Sequence, residues 1–350
     1  MIRLIIDCFG GDLSPQANVE AAVMALKDEK TFPDLSLILT GDAEKIQAEL
    51  DRLSFKSDRL TIEHAPEVID CNDKPTDAIR LKRESSMMKA IRMLREDDTI
   101  GGMVSTGSTG ALVAAATLRV GRLKGVIRPA FCPVLPTMNG GIVAISDSGA
   151  NVECNPEMLR QFAVMAARYL EAVYGVKEPR VALLNVGVEE EKGDDLRKQT
   201  YALLKETPGL NFVGNMESRD LLSGKFDLVV CDGFAGNVLI KSTEGACLQM
   251  LKKLKTDISS SLLYKLGALL MLPMFKKEKE FMNYQNYGGS VLLGTKKVIV
   301  KGHGSATATS VLKCIEQAYR MEMNNLNLKT EEELCALLAE KSEQKTEVDN

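Results

Sequence analysis

Histidine is nearly absent. The 350 residues hold two, His64 and His303, which excludes a histidine-rich metal centre. The eight cysteines are Cys8, Cys71, Cys132, Cys154, Cys231, Cys247, Cys314 and Cys335, and no two form a C-x-x-C pair. Most lie in apolar runs, so neither a zinc site nor a disulfide framework is expected, and the pattern suits a reduced, cytosolic protein. Cys231 stands beside a glycine turn and has two readings, a nucleophile or a small buried apolar group, of which the second is favoured. No apolar run is long enough to span a membrane. Met1-Ile-Arg-Leu-Ile-Ile-Asp7 is too short for a signal peptide, is interrupted by Asp7 and reads as a first strand. Basic excess is missing too: the net charge is −4, which argues against a nucleic-acid partner. A Walker A ending and a G-x-G-x-x-G fingerprint are both lacking, so a dinucleotide-dependent dehydrogenase is disfavoured.

What the chain does have is a repeated design, a short buried strand running through a glycine turn into a helix start. The fullest copy is Asp227-Leu-Val-Val-Cys-Asp-Gly-Phe-Ala-Gly-Asn-Val-Leu-Ile-Lys241. Asp232, Gly233 and Gly236 make the turn, and Asn237 opens a helix carrying Lys241. Two more copies are Leu4-Ile-Ile-Asp-Cys-Phe-Gly-Gly-Asp12 and Met103-Val-Ser-Thr-Gly-Ser-Thr-Gly-Ala111. Unsatisfied N–H groups and the positive end of the helix dipole make such junctions anion sites. Several in one chain point to phosphate or a phosphate-rich substrate.

Strand patterns at 4–7, 35–40, 61–64, 102–105, 141–146, 181–185, 211–214, 228–231 and 298–301 alternate with helical periods at 19–27, 43–53, 76–95, 110–120, 156–174, 196–207, 238–254 and 306–321. That alternation predicts an α/β fold with a mainly parallel, doubly wound sheet covered on both faces. Ligands in such sheets gather at the carboxyl ends of the strands. No linker divides the chain. Residues 1–325 read as one catalytic domain and 326–350 as a C-terminal helix with a charged tail, disordered after about Leu338. One stretch breaks the rhythm: 247–282 reads as long and helical, broken at Pro273. Leu262, Leu266 and Leu269 lie near one face, decorated by Lys252, Lys253, Lys255, Lys276 and Lys277.

Each polar cluster has a plain and a chemical reading. Asp7-Cys-Phe-Gly-Gly is either a capped turn or a place where Gly10 and Gly11 let backbone approach a ligand. Ser105-Thr106-Gly107-Ser108-Thr109-Gly110 offers hydroxyl and backbone donors at a helix start, and is either a phosphate nest or an ordinary cap. Lys82 and Arg83 are cations for an anionic substrate or a solvated helix face. Arg128 has the planar fork that clamps phosphate. Asp147, Asn151, Asn185 and Gly187 place polar groups at further strand ends. Gly288 and Gly289 precede His303, which lies between glycines past a strand, where it could donate to an oxyanion or move a proton. His64 reads as structural.

Taken in order, these motifs resemble the bacterial phosphate acyltransferases, the acyl-ACP:phosphate acyltransferases of phospholipid synthesis. The resemblance runs from Leu4 to about Ala318. It rests on Asp7-x-x-Gly-Gly-Asp12, Lys74-Pro75, Lys82-Arg-x-Ser-Ser-Met87, Ser105-Thr-Gly-x-Thr-Gly-Ala-Leu112, Arg128-Pro-Ala130, Asp147-x-Gly-Ala-Asn151, Leu184-Asn-Val-Gly187, Cys231-Asp-Gly-Phe-x-Gly-Asn-Val238, Tyr287-Gly-Gly289 and His303-Gly-Ser305. Cys8-Phe9, Ser108, Glu217-Ser218 and Val291 depart from the family pattern, and none removes an ionisable group.

The resemblance implies a three-layer α/β/α sandwich related to phosphotransacetylases and isocitrate dehydrogenase-like enzymes, with 247–282 as a projecting helical pair for dimerisation and membrane contact. It implies transfer of a long-chain acyl group from acyl-ACP to inorganic phosphate by direct attack, with no cofactor or metal. Phosphate would sit at Ser105–Gly110 with Arg128 or Lys82 nearby. His303 and Asn237 would stabilise the thioester oxyanion, oriented by Asp232. The expected partners are acidic ACP, an anionic membrane surface on the cytoplasmic side, the membrane acyltransferase that consumes acyl-phosphate, and a second copy of the chain. The rivals are a phosphotransacetylase using acyl-CoA and a non-catalytic scaffold.

Overall fold

A computed structural model describes residues 1–70, 72–281 and 287–348. Cys71, Met282 and the last two residues of the tail lie outside the described residues. The strands are β1 (Ile2–Asp7), β2 (Leu35–Gly41), β3 (Leu60–His64), β4 (Ile100–Ser105), β5 (Ala130–Cys132), β6 (Val134–Pro136), β7 (Ile142–Ser146), β8 (Val181–Asn185), β9 (Phe212–Glu217), β10 (Leu228–Val230), β11 (Ser290–Leu293) and β12 (Val298–Lys301). The helices are α1 (Gln16–Lys27), α2 (Ala43–Arg52), α3 (Pro75–Leu81), α4 (Ser86–Glu96), α5 (Thr109–Ala115), α6 (Pro156–Tyr169), α7 (Asp195–Lys205), α8 (Gly233–Ser259), α9 (Leu262–Leu270), α10 (Leu272–Phe281), α11 (Ala308–Met323) and α12 (Leu326–Val348).

The expected sheet is divided in two. A seven-stranded sheet runs β3-β2-β1-β4-β12-β11-β5, and a five-stranded sheet runs β6-β7-β10-β8-β9. Both are mainly parallel; β11 and β6 are the antiparallel members. Parallel strands covered on both faces need apolar residues at every position, and the chain supplies them. On β1, Leu4 and Ile6 enter one core with α1 and α11, while Ile5 enters another with α4 and α5. On β10, Leu228 and Val230 face α6, and Val229 faces Leu239 and Ile240 of α8. Helices therefore lie on both faces of each sheet, giving the three layers.

Three strands escaped the pattern. β5 and β6 are three residues each, separated by Pro133, and they carry the chain from the first sheet into the second. β11 follows two glycines and brings it back beside β12. α6 closes the gap between the sheets: it is buried almost throughout and packs on β7 and β10 of one sheet and β11 of the other.

The single helix expected over 76–95 is two. Lys82 ends α3, and Ser85 caps α4 by accepting from the Met88 N–H at 3.4 Å. The break expected at Pro273 falls just ahead of it, at Met271 between α9 and α10, and a second break follows α8 at Ser260 and Ser261. Ser261 caps α9, and Pro273 falls in the first turn of α10, where a missing N–H costs nothing. Residues 247–281 thus hold the outer part of α8 followed by α9 and α10, three helical pieces where a pair was expected. α8 buries nothing past Ile240, and α9 buries nothing at all. The tail expected to be disordered after Leu338 is helical through Val348. Among the described residues, no helix is long and apolar enough to cross a membrane.

Candidate active site

The carboxyl ends of the two sheets face each other across a cleft of about 270 Å³. The first sheet lines it with Thr109 from the start of α5, Gly288 and Gly289 ahead of β11, Ser290 at the start of β11, and Lys301 to Gly304 at the end of β12. The second sheet contributes Ser148 after β7 and Asn237, Ile240, Lys241 and Glu244 from α8. The crossover between sheets supplies the apolar part, Phe131 to Leu135 without Cys132.

α8 is aimed by its first turn. Asp232 caps it, accepting from the Ala235 N–H at 2.8 Å, and its other carboxylate oxygen pairs with Arg197 of α7. The helix then presses on the end of β7: a Cβ at Gly236 would lie 2.0 Å from the Asp147 carbonyl oxygen, and one at Gly233 would lie 2.6 Å from the Asn151 carbonyl oxygen. Asp147 holds that loop. Its carboxylate accepts N–H groups from Phe131 (2.9 Å), Ser148 (2.6 Å), Ala150 (3.2 Å) and Asn151 (2.6 Å). Asn151 in turn donates to the Pro129 carbonyl at 2.7 Å, and its own carbonyl accepts the Gly233 N–H at 2.7 Å. Asp147, Asn151, Asp232 and Gly233 therefore build the wall that presents Asn237 and Lys241, and are outside the cleft lining. Cys231 is fully buried, with its thiol pushed well above the usual thiol range by that burial and the charges of Asp232 and Asp147. It is the packed apolar group rather than a nucleophile.

Behind the opposite wall, the turns after β1 and β4 pack on each other. Gly10, at φ +89°, would bring a Cβ within 2.9 Å of the Gly107 Cα. At Gly11 a Cβ would meet Thr106 Oγ1 at 2.6 Å. Ser105 Oγ donates to Asp7 at 2.6 Å, and Gly107 N–H donates to Ser105 Oγ at 3.2 Å. Asp7 is fully buried, and burial raises its carboxyl from 3.8 to about 6 against the bonds from Ser105, Ser86 and the Phe9 N–H. Of the Ser105–Gly110 nest, only Thr109 reaches the cleft. Gly110 faces Pro75, 2.6 Å from a built Cβ.

His303 stands at the cleft with a defined tautomer. The Ser305 N–H donates to its Nδ1 at 3.2 Å, which makes Nδ1 an acceptor and places the proton of the neutral ring on Nε2. Burial, then the charges of Lys301 and Lys241, lower its pKa below 6.5. The ring is therefore neutral at pH 7 and a donor.

Four more expected residues are not brought in. Lys82 donates to Asp73 (2.6 Å), the Val68 carbonyl (2.9 Å) and Asp70 (3.3 Å), where it ties down the loop before α3. Asn185 shapes its own loop, accepting from Val186 N–H at 2.8 Å and donating to the Lys192 carbonyl at 3.0 Å; Gly187 lies in that loop. Arg128 is exposed in the approach to β5. His64 accepts the Ala43 N–H at 3.2 Å and is structural.

Sequence reading missed others. Lys301 ends an apolar strand, is 8% exposed and lines the cleft. Ser86 faces Asp7 from the start of α4. Gln317 of α11 accepts the Gly289 N–H at 2.8 Å and donates toward the Tyr169 hydroxyl at 2.8 Å, pinning the glycine turn at 287–289. Gly288 adopts φ +98° there, and a Cβ would run into the Gln317 side chain. No group of histidine, cysteine or acidic side chains suited to a metal occurs among the described residues.

Comparison with known proteins matches residues 2–329 to a family model described as fatty acid synthesis protein. A phosphate acyltransferase of Clostridium acetobutylicum is 44% identical over 323 residues, covering 92% of this chain and 96% of that one. A phosphate acyltransferase of Bacillus subtilis is 42% identical over 333 residues, covering 95% and 98%. Among solved structures, a phosphotransacetylase from Streptococcus pyogenes superposes with a TM-score of 0.58 at 16% identity, covering 92% and 94% of the two chains. A branched-chain phosphotransacylase from Enterococcus faecalis gives 0.54 at 14%, covering 92% and 100%. At those identities the likeness is one of fold, and it agrees with the phosphotransacetylase-related sandwich expected from the sequence.

Proposed function

From the premise that the chain belongs to the phosphate acyltransferases of fatty acid and phospholipid synthesis, we propose that it transfers a long-chain acyl group from acyl-ACP to inorganic phosphate. The observation that carries this reading is the cleft itself: one neutral imidazole, one amide and lysines converge beside an apolar wall. Phosphate brings its own negative charge and needs no activating base. The protein has to gather it, polarise the thioester carbonyl and keep water out. A phosphate oxygen attacks the carbonyl carbon, a C–O bond forms and the C–S bond breaks. The thiolate of ACP leaves and takes the proton carried by phosphate. The His303 Nε2–H and the Asn237 amide stabilise the oxyanion between these steps. Arg197, Asp232 and Asp147 act through α8 by fixing where Asn237 stands.

The outer half of α8 with α9 and α10 supports the choice of ACP and a membrane surface. Leu262 and Leu270 are 79% and 85% exposed. Leu266 and Leu269 are exposed beside them, and Lys252, Lys253, Lys255, Lys276 and Lys277 lie on the same segment. Exposed leucines with lysines suit an anionic bilayer surface, and the lysines suit an acidic carrier protein. A second copy of the chain is the other cover for this face. The acyl-phosphate made there would pass to an acyltransferase in the membrane, so the protein works in the cytoplasm against its inner face.

Phosphate-dependent loss of long-chain acyl-ACP, with acyl-phosphate trapped by hydroxylamine, is the test, and palmitoyl-CoA is run in parallel. Acyl-phosphate from acyl-ACP is expected. Turnover of CoA thioesters alone would move the chain to phosphotransacetylase chemistry, and folded protein with no phosphate-dependent turnover would favour a scaffold. Flotation with vesicles of anionic or neutral lipid tests the surface. Leu266→Asp with Leu269→Asp should abolish anionic-vesicle binding and leave turnover of soluble acyl-ACP intact.

A further inference from the structure

The cations that the sequence suggested for phosphate stand elsewhere, Lys82 bound to two aspartates and Arg128 exposed ahead of β5. Two lysines line the cleft. Lys241 has a side chain 61% exposed and lies 3.6 Å from Glu244, so solvent and a carboxylate both weaken its field. Lys301 differs in exposure, and the carboxylate that feels its charge, Asp7, lies behind the cleft wall rather than in the lining. Lys301 is buried to 8% exposure, and it comes from the last position of β12, inside the seven-stranded sheet. Its ammonium donates to the Thr106 carbonyl at 3.4 Å and to the Gly302 carbonyl, so two backbone oxygens set its position between the ends of β4 and β12. It stands two residues before His303, in the same lining as Asn237 and Thr109. Removing an ammonium from water is costly, and a fixed charge in a place of low dielectric acts far more strongly on an incoming anion than one on the surface.

We infer that Lys301 is the cation that holds inorganic phosphate in the cleft and selects it over neutral nucleophiles. This assigns a phosphate-binding residue within the proposed acyl transfer and rests on that reading. Phosphate then lies next to His303, with the nucleophile and the oxyanion donor on one short segment, 301–303. Thr109, at the start of α5, adds a hydroxyl and its backbone to the same wall.

The test is steady-state turnover with inorganic phosphate varied at saturating acyl-ACP, then the reverse, for wild type, Lys301→Met, Lys301→Arg and Lys241→Met. The expected result for Lys301→Met is a phosphate KM raised about tenfold or more, the size of one lost charge-assisted hydrogen bond. Its acyl-ACP KM should stay within about twofold. Lys301→Arg should recover part of the phosphate affinity, and Lys241→Met should raise the phosphate KM by clearly less than Lys301→Met does. A phosphate KM unchanged in Lys301→Met, or raised in Lys241→Met alone, would overturn the assignment. Should Lys301→Met fail to fold, wild type decides. Inorganic phosphate should protect Lys301 from acetic anhydride labelling, read by peptide mass spectrometry, and equal labelling with and without phosphate would overturn it. Wild type that turns over acyl-ACP without phosphate would sink the parent reading instead.

Discussion

Gly236→Ala tests how α8 is held. The alanine Cβ would lie 2.0 Å from the Asp147 carbonyl oxygen and 2.9 Å from the Cys231 Sγ, where ordinary contact begins at 3.4 Å. No rotamer can relieve a clash with backbone. Asp147 is held by four N–H groups through its own carboxylate, so α8 must move, by about 1 Å or more in a close-packed interior. Overpacking of this kind costs about 3 kcal/mol, at the upper end of its usual range. The intrinsic helix preference of alanine returns about 1 kcal/mol, leaving a net loss of about 2 kcal/mol. Gly245→Ala in the same helix is the control. Nothing lies within 4 Å of its Cβ, so only the gain of about 1 kcal/mol should appear. Urea midpoints followed by circular dichroism should therefore move in opposite directions. Turnover should separate them further, since Asn237 and Lys241 ride on the displaced helix and a 1 Å misplacement costs about a hundredfold. Gly236→Ala with wild-type stability and turnover would refute the claim that α8 is seated against β7.

Three further outcomes are expected. The Asp7 carboxyl is raised from 3.8 to about 6 by burial, so the folded chain holds a proton that the unfolded chain releases. The stability it gives is present below about pH 4 and lost as pH rises through about 6. Asp7→Asn should thus match wild type near pH 4 and exceed it in denaturation midpoint above pH 6. His303 should titrate below 6.5 in proton NMR, which two histidines make easy to assign. Turnover should fall on the acid side as the imidazolium loses the Ser305 N–H bond to Nδ1; a flat acid limb through that titration would count against its role. Arg197→Met should cost about 3 kcal/mol by leaving Asp232 buried without its cation. In an Asp232→Asn background the same change should cost much less, a coupling that a double-mutant cycle of thermal midpoints reads directly.

The parallel strands were legible because burial on both faces demands unbroken apolar runs, as in Leu4–Ile6 and Leu228–Val230. The glycine turns were legible as chemistry, but their distances were not. Ser105, Thr106 and Gly107 pack behind the wall because Gly10 lets β1 and β4 turns touch, a tertiary contact that no local pattern encodes. β5 and β6 were hidden by their length and by Pro133, which reads as punctuation. With them went the division into two sheets, and so the cleft between them. Lys301 was overlooked for a related reason. A lysine closing the run Val298-Ile-Val looks like a strand reaching solvent, and only the pairing of β12 with β4 turns it inward. Lys82 erred the other way, since a cation in a motif looks available until its carboxylate partners are found nine and twelve residues upstream.

The path of the chain between the sheets also sets the order in which the molecule can be made. β1 to β4 leave the ribosome early, yet β4 lacks its second neighbour until β12 is synthesised at 298–301. β5 likewise waits for β11. The five-stranded sheet lies wholly in the interval. A nascent chain stalled near residue 285 would therefore hold two unequal pieces, one of them with an open apolar strand edge in the middle of its future sheet, and such edges recruit other chains. Trigger-factor-type chaperones that shield apolar segments during translation should bind this intermediate, and release it only once α11 has covered β12 and β4.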